Sequence, residues 1–380
     1  LKTSKFFKFS NLTFWGAIII IAVLFIAANR NKHEGNIPAA NRNQINGQQP
    51  SNSADTNTSA ASRRIGEDSK KREGNLLIPF SPIIKTAAIN DLVVDSRGTL
   101  WGATEEGVCS ISNGLLREFS LTRGTFPALQ AQCIAFDGQK IWVGTLFGLY
   151  SITRSGIVTK HQISQDPASE IIWDITFDGI TIWVATQAGI AFKNKKNDFF
   201  ILDKKVTNGG LRNNWCQNIL RFSGWFIVAH DNGISCWNTG FKASNPEFWK
   251  NIDNARSGIV RPVSGMTFDG QNIWIATAKG ALFLNTPIEK LFSESVSSFV
   301  SYTTVHGLPS NRVNDIITHR GAIWLATNGG LARIDQEEIQ TISPTDGTMA
   351  QNLTALAASG DILWIGNNEG VRFINTAMVD

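Results

Sequence analysis

The feature that most limits what this chain can become is a short pattern that returns seven times. Its clearest copy is Ile141-Trp142-Val143-Gly144-Thr145, two variable residues, then Gly148 and Leu149. The Trp slot holds Trp101, Trp142, Trp183, Ile227, Trp274, Trp324 and Trp364, so successive slots lie 41, 41, 44, 47, 50 and 40 residues apart. Three residues on stand Thr104, Thr145, Thr186, His230, Thr277, Thr327 and Asn367. Six residues on there is always a glycine: Gly107, Gly148, Gly189, Gly233, Gly280, Gly330 and Gly370. A period in the forties is the signature of a repeat architecture.

Each unit reads as strands. Cys133–Phe136 and Ile141–Val143 flank the turn Asp137-Gly138, a hairpin signal. The turn returns at Asp178-Gly179 and Asp269-Gly270, and in worn form at Ser223-Gly224. The recurrent glycine closes a second hairpin and predicts a left-handed residue in a one-residue bulge, which only glycine adopts without a Cβ clash. The small residue two after the Trp slot (Ala103, Gly144, Ala185, Ala229, Ala276, Ala326, Gly366) predicts close sheet-on-sheet approach. With a fourth run such as Leu115–Phe119, each unit makes four antiparallel strands, and four-stranded units of 40–45 residues are propeller blades. The fold expected is therefore all-β: a seven-bladed propeller over residues 75–380, with the indoles packed between blades. The seventh unit reaches its third strand at Val371–Ile374. Leu76–Phe80 resembles the fourth strand of the first unit and is expected to complete the seventh blade. Pro79 suits an outer edge.

Ahead of the repeats, Lys2, Lys5 and Lys8 precede an apolar run from Leu12 to Ala28. Such a run is at the lower limit for crossing a bilayer, and a cleaved secretory signal is the competing reading. The expectation is a cytoplasmic segment 1–10, an uncleaved transmembrane anchor 11–28, a polar disordered linker 29–74, and then the propeller. This places the propeller in the periplasm of a bacterium, single-pass on the inner membrane, or free in the periplasm after cleavage. The small net charge of +4, without a basic stripe, carries no nucleic-acid signature.

The sixth unit resembles a known family. Thr304-Val305-His306-Gly307-Leu308-Pro309-Ser310-Asn311-Arg312-Val313-Asn314-Asp315-Ile316, followed by Ala322-Ile323-Trp324-Leu325-Ala326-Thr327-Asn328-Gly329-Gly330-Leu331, is similar to the two-component regulator propeller repeat. The second half of that repeat holds in nearly every unit, and the Gly-Leu-Pro-Ser-Asn half is worn away outside the sixth. The resemblance implies an extracytoplasmic sensor region of a membrane histidine kinase or hybrid regulator. No kinase part is recognisable here, so signalling would need a partner, a kinase or an envelope complex.

Chemical signatures are sparse. Cys109, Cys133, Cys216 and Cys236 match neither zinc-ligand nor redox-dithiol spacing and read as core. The five histidines are scattered, with no metal-ligand pair among them. No cofactor motif is present. The streptogramin lyases use a similar sevenfold repeat, but their Pro-Asp-Gly-Asn and Leu-Trp-Phe-Thr-Glu signature is missing. What remains is the face where first strands begin and second-to-third-strand loops gather. There the candidate ligand-binding residues are Asn90, Asp91, Gln132, Trp173, Asp174, Asp231, Asn314 and Asp315. The function expected is a non-catalytic sensor or recognition module for a small ligand, a glycan or a protein. The alternatives are a lyase or hydrolase at the channel mouth and a structural scaffold of an envelope assembly.

Overall fold

A computed structural model describes residues 75–193, 198–222, 224–253, 262–284, 290, 299–346 and 351–379. The expected anchor and linker, and Ser223 of the worn turn, lie outside the described residues. Among the described residues seven sheets run in sequence order, antiparallel except for one added parallel strand, and there is no α-helix. The first strands are Ile89–Val94, Ala131–Phe136, Ile172–Phe177, Cys216–Phe222, Val263–Phe268, Val313–His319 and Leu353–Ser359. Each packs against the next, and the last packs against the first, so the seven sheets form a closed ring.

The Trp slot does what its periodicity requires. Trp142 packs with Ile172, Ile175 and Val184 of the third blade. Trp274 packs with Ile316 and Leu325 of the sixth, and Trp324 with Leu353, Leu356 and Ile365 of the seventh. Burying a side chain of this size removes about 150–250 Å² from water, on the order of 4–6 kcal/mol gross per blade. The small residues beside the indoles set the spacing. A Cβ on Gly144 would run into Cys133 Sγ and Ile172 of the next blade. On Gly366 it would lie 2.6 Å from Ile89 Cγ2, where the seventh blade meets the first.

The recurrent glycine has a second reason to be glycine. Gly107 has φ +134°, as expected, but it pairs in register with Thr104 and no extra residue is inserted. The bulge predicted there is absent. A Cβ on Gly107 would instead strike the Phe119 carbonyl of the fourth strand, and the same clash arises at Gly280 with Tyr302. The Thr slot secures that hairpin. Thr145 Oγ1 donates to Gly148 O (2.9 Å) and accepts from Phe147 N (2.9 Å). Thr186, Thr277 and Thr327 repeat both bonds.

The expected placement of residues 76–80 is corrected. Asn75–Ile78 runs parallel to Glu338–Pro344 as a fifth strand on the sixth blade, with Ile78 buried in its core. The chain then crosses to the seventh blade. There Phe80 bridges Ile374, Ser81 exchanges hydrogen bonds with Phe373, and Ile84–Lys85 pairs with the third strand at Val371 and Gly370. Pro79 and Pro82 explain the division. Proline has no N–H to donate to a ladder, so no strand continues through residues 79–83.

Candidate functional site

In all seven blades the pairing of first and second strand slips by one residue at the second position of the first strand. The residues passed over are Asn90, Gln132, Trp173, Gln217, Ser264, Asn314 and Thr354. A bulge re-aims the side chain it carries and leaves it unpaired in the ladder. The innermost strands thus present a ring of seven such positions, six polar and one indole.

The residue after the bulge performs a different task. Asp91 accepts from Leu92 N (2.8 Å) and from Ile134 N of the second blade (2.8 Å). Asp174 accepts from Ile175 N and Ile219 N of the fourth blade (both 2.7 Å). Asp315 accepts from Ile316 N and Leu356 N of the seventh blade (both 2.7 Å). Asn90 and Asn314 add amide bonds to Ala131 O (2.9 Å) and Leu353 O (2.6 Å). These five candidates are therefore clasps between neighbouring blades. Burial pushes the carboxyls up, Asp174 to about 7 and Asp315 to about 6. Asp91 is raised well above its ordinary value by burial and by the charge of Asp315.

The other three candidates separate. Gln132 has an exposed amide that donates only to Gln130 O (3.4 Å). Trp173 and Asp231 lie on the third and fourth blades, each with its own partner: Trp215 for Trp173 and Gln217 for Asp231. Trp173 lies 6.0 Å from Trp215, ring centre to ring centre. Gln217 donates to Asp231 Oδ1 (3.1 Å), and Asn213 donates to Asn232 (2.6 Å). The indole N–H of Trp173, that of Trp215 and the amide oxygen of Gln217 are buried without a hydrogen-bond partner. A buried polar atom left unsatisfied is costly, so this cluster is arranged for something beyond self-packing. Trp215 was legible only as an aromatic in an Asn-rich connection; its proximity to Trp173 comes from the ring.

His230 is not free for chemistry. Its Nδ1 accepts from Asn232 N (3.1 Å), the bond Thr makes in other blades, and its Nε2 meets Ser235 Oγ (2.8 Å). Burial lowers its pKa to about 4. Asn367 replaces Thr in the same way, accepting from Glu369 N and Gly370 N. All four cysteines are reduced and buried. Among the described residues, no three His, Cys, Asp or Glu side chains are grouped to hold a metal ion.

No protein-family model matches the chain, and no curated protein matches it. Solved structures do. The extracellular domain of a hybrid two-component system from B. thetaiotaomicron aligns with TM-score 0.61 and 20% identity, over 77% of this chain and 40% of that one. PorZ, a surface component of the type-IX secretion system of Porphyromonas gingivalis, aligns with TM-score 0.60 and 16% identity, over 78% and 48%. A streptogramin B lyase aligns with TM-score 0.57 and 17% identity, over 79% and 95%. The chain thus spans well under half of the sensor domain and nearly all of the lyase. At these identities the likeness shows the fold: a seven-bladed propeller of the kind found in extracellular sensor domains and in propeller lyases. Among the described residues no helix is long and apolar enough to cross a membrane.

Proposed function

We propose that the propeller is a non-catalytic recognition module, tethered to a bacterial inner membrane by its N-terminal apolar run and facing the periplasm. It senses a small ligand or glycan, or docks a protein, and passes the event to a partner. One observation carries this reading. Among the described residues, the buried atoms of the bulge ring and its neighbour Trp215 without a hydrogen-bond partner are the indole N–H groups of Trp173 and Trp215, the amide oxygen of Gln217 and Thr354 Oγ1, and these are groups that bind. The carboxylates of Asp91, Asp174 and Asp315 are engaged in blade-to-blade bonds and His230 in its turn. An indole pair, with an amide bonded to a carboxylate on the strand that begins at Trp215's neighbour Cys216, suits an amphipathic ligand that offers an apolar face and hydrogen-bonding groups. The likeness to extracellular sensor domains supports the placement and the role.

The test is a thermal-shift screen of the full chain against periplasmic metabolites, including glycans. A ligand at 100 times its dissociation constant stabilises the native state by about 2.7 kcal/mol. The expected result is a hit whose shift disappears in Trp173→Ala and Trp215→Ala. Hits indifferent to both variants would overturn the site. The lyase alignment, nearly complete over that enzyme, favours a second reading of catalysis at the channel mouth. Turnover that survives purification and disappears in Asp231→Asn, with the melting temperature unchanged, would establish it. The alignment with PorZ favours a scaffold role in an envelope assembly. That role requires a stable protein partner after crosslinking of membranes and no small-ligand shift.

A further inference from the structure

Antiparallel blades put two kinds of turn on the face opposite the bulge ring: those between first and second strands, and those between third and fourth. In four blades the first kind carries an aspartate that accepts the indole N–H of the Trp slot: Asp95 from Trp101 (3.4 Å), Asp137 from Trp142 (2.7 Å), Asp178 from Trp183 (2.8 Å) and Asp269 from Trp274 (2.7 Å). In the sixth blade His319 takes that place.

Over the first three blades this turns acids inward and leaves cations and apolar tips outward. Arg97 and Lys140 are exposed on first-to-second turns, and Arg117 is exposed on the first blade's outer strand. Arg154 and Lys193 are half-buried at third-to-fourth turns. Leu115, Ile157 and Ile180 stand at the same turns with 77%, 63% and 90% of their surface in solvent. The patch is continuous from blade to blade. Arg154 Nη2 donates to Ser96 Oγ (2.9 Å), and Lys193 Nζ sits 5.0 Å from the ring centre of Trp142. The Arg117 guanidinium lies so close to Gly156 that an added Cβ would come within 2.5 Å of it. The positive field is felt inside the blade, where Lys193 and Lys140 add to the burial that lowers the His161 pKa to about 4. Asp198, at the foot of the third blade's outer strand, is an exposed acid beside the patch. Across the ring the balance reverses, with Asp335, Glu337, Glu338 and Asp361 on the turns of the sixth and seventh blades.

The chain also enters the propeller from this face. Asn75–Ile78 runs parallel to Glu338–Pro344, which rises from the turn that follows Asp335. Asn75 lies opposite Thr341 and Ile78 opposite Pro344, so Asn75 is the end nearer the turns.

We propose that this face, through blades one to three, docks on an anionic phospholipid surface. The arginines and lysines meet headgroup phosphates, for which a guanidinium's planar fork is suited, and Leu115, Ile157 and Ile180 enter the boundary with the acyl chains. The acidic turns of the sixth and seventh blades stand off the lipid. The bulge ring and the Trp173 cluster then face away from the membrane, open to a ligand. The docking rests on the anchor read from residues 11–28, which lies outside the described residues, because tethering turns a weak surface contact into an intramolecular one.

The experiment reconstitutes the full chain in vesicles of phosphatidylcholine, or of equal parts phosphatidylcholine and phosphatidylglycerol, with a nitroxide on the lipid headgroups. A fluorophore is placed on the turn face by Gln139→Cys or on the opposite face by Glu106→Cys; the four native cysteines are buried. The expected result is quenching at Gln139→Cys, not at Glu106→Cys, and only with phosphatidylglycerol. It should fade as salt shortens the Debye length from about 10 Å at 0.1 M to about 3 Å at 1 M. Arg97→Glu with Lys140→Glu should weaken it on the order of tenfold at an unchanged melting temperature, and Ile180→Asn should weaken it too. Equal quenching on both faces, or quenching at Gln139→Cys indifferent to lipid charge, overturns the proposal. So does quenching that follows protein density instead of lipid charge, which marks pairing of this face with a second copy. Failure of the anchor is a separate result: alkaline carbonate strips the chain from the vesicles, while the stripped protein, returned to neutral pH with fresh vesicles, still shows the charge-dependent quenching at Gln139→Cys.

Discussion

The fourth and sixth blades break the same rule in different ways. The fourth loses the whole indole pair, since its Trp slot holds Ile227 and its turn has no aspartate. The volume is recovered nearby. Trp225 sits two residues earlier in the same core as Ile227, and Phe222 stacks on Phe268 of the fifth blade with ring centres 3.8 Å apart. The sixth blade loses only the aspartate, and the indole it served stays buried without a partner. Joint loss leaves an ordinary apolar interface. Loss of one member leaves a buried polar atom without a partner, and that is the costlier change.

The comparison can be broken at several points. The largest effect is expected at a regular blade. Trp274→Ala opens a cavity between the fifth and sixth blades and should cost about 3–5 kcal/mol in denaturant unfolding, whereas Ile227→Val should cost only about 0.5–1.5 kcal/mol. Next is the acid response of the fourth blade. His230 holds a folded pKa of about 4, below the ordinary ~6.5. Its share of stability is therefore complete above pH 6.5 and is lost as pH falls toward 4, on the order of 3 kcal/mol. His230→Thr keeps the turn bond and should flatten that acid limb in melts followed between pH 4 and 7. Asp174 acts with the opposite sign. Its folded value of about 7 lies above the ordinary carboxylate value, so its share falls as pH rises from about 4 to about 7. Asp174→Asn should remove that slope.

Smaller effects sharpen the contrast within the indole pairs. Asp269→Ala would leave Trp274 in the condition of Trp324, with an orphaned N–H, and should cost about 1–3 kcal/mol. His319→Asp performs the reverse exchange. It should stabilise the sixth blade by about 1 kcal/mol, read from denaturant midpoints.

The two halves of the molecule's logic were not equally legible. The number of blades, the inward indoles and the tight glycines follow from local spacing. A period near forty fixes how often the chain must turn, and residues such as Gly144 show how close the sheets must come. The bulge ring left no mark in the sequence, because a one-residue slip between strands has no composition of its own. The blade-to-blade bonds of Asp91, Asp174 and Asp315 were therefore not legible from the sequence. Residues 76–80 were recognised as strand material and assigned to the seventh blade, whereas Asn75–Ile78 pairs with the sixth and Ile84–Lys85 with the seventh.

Sequence alone determined a seven-bladed all-β ring, because each unit carries its own hairpins and its own apolar face, and such faces are buried only against the next copy. Tertiary structure alone decided which polar groups are spent and which remain. A carboxylate's availability depends on N–H groups that approach from a blade some forty residues away, as Ile134 does for Asp91 and Leu356 does for Asp315. An indole's lack of a partner is visible only once the whole core around it has closed.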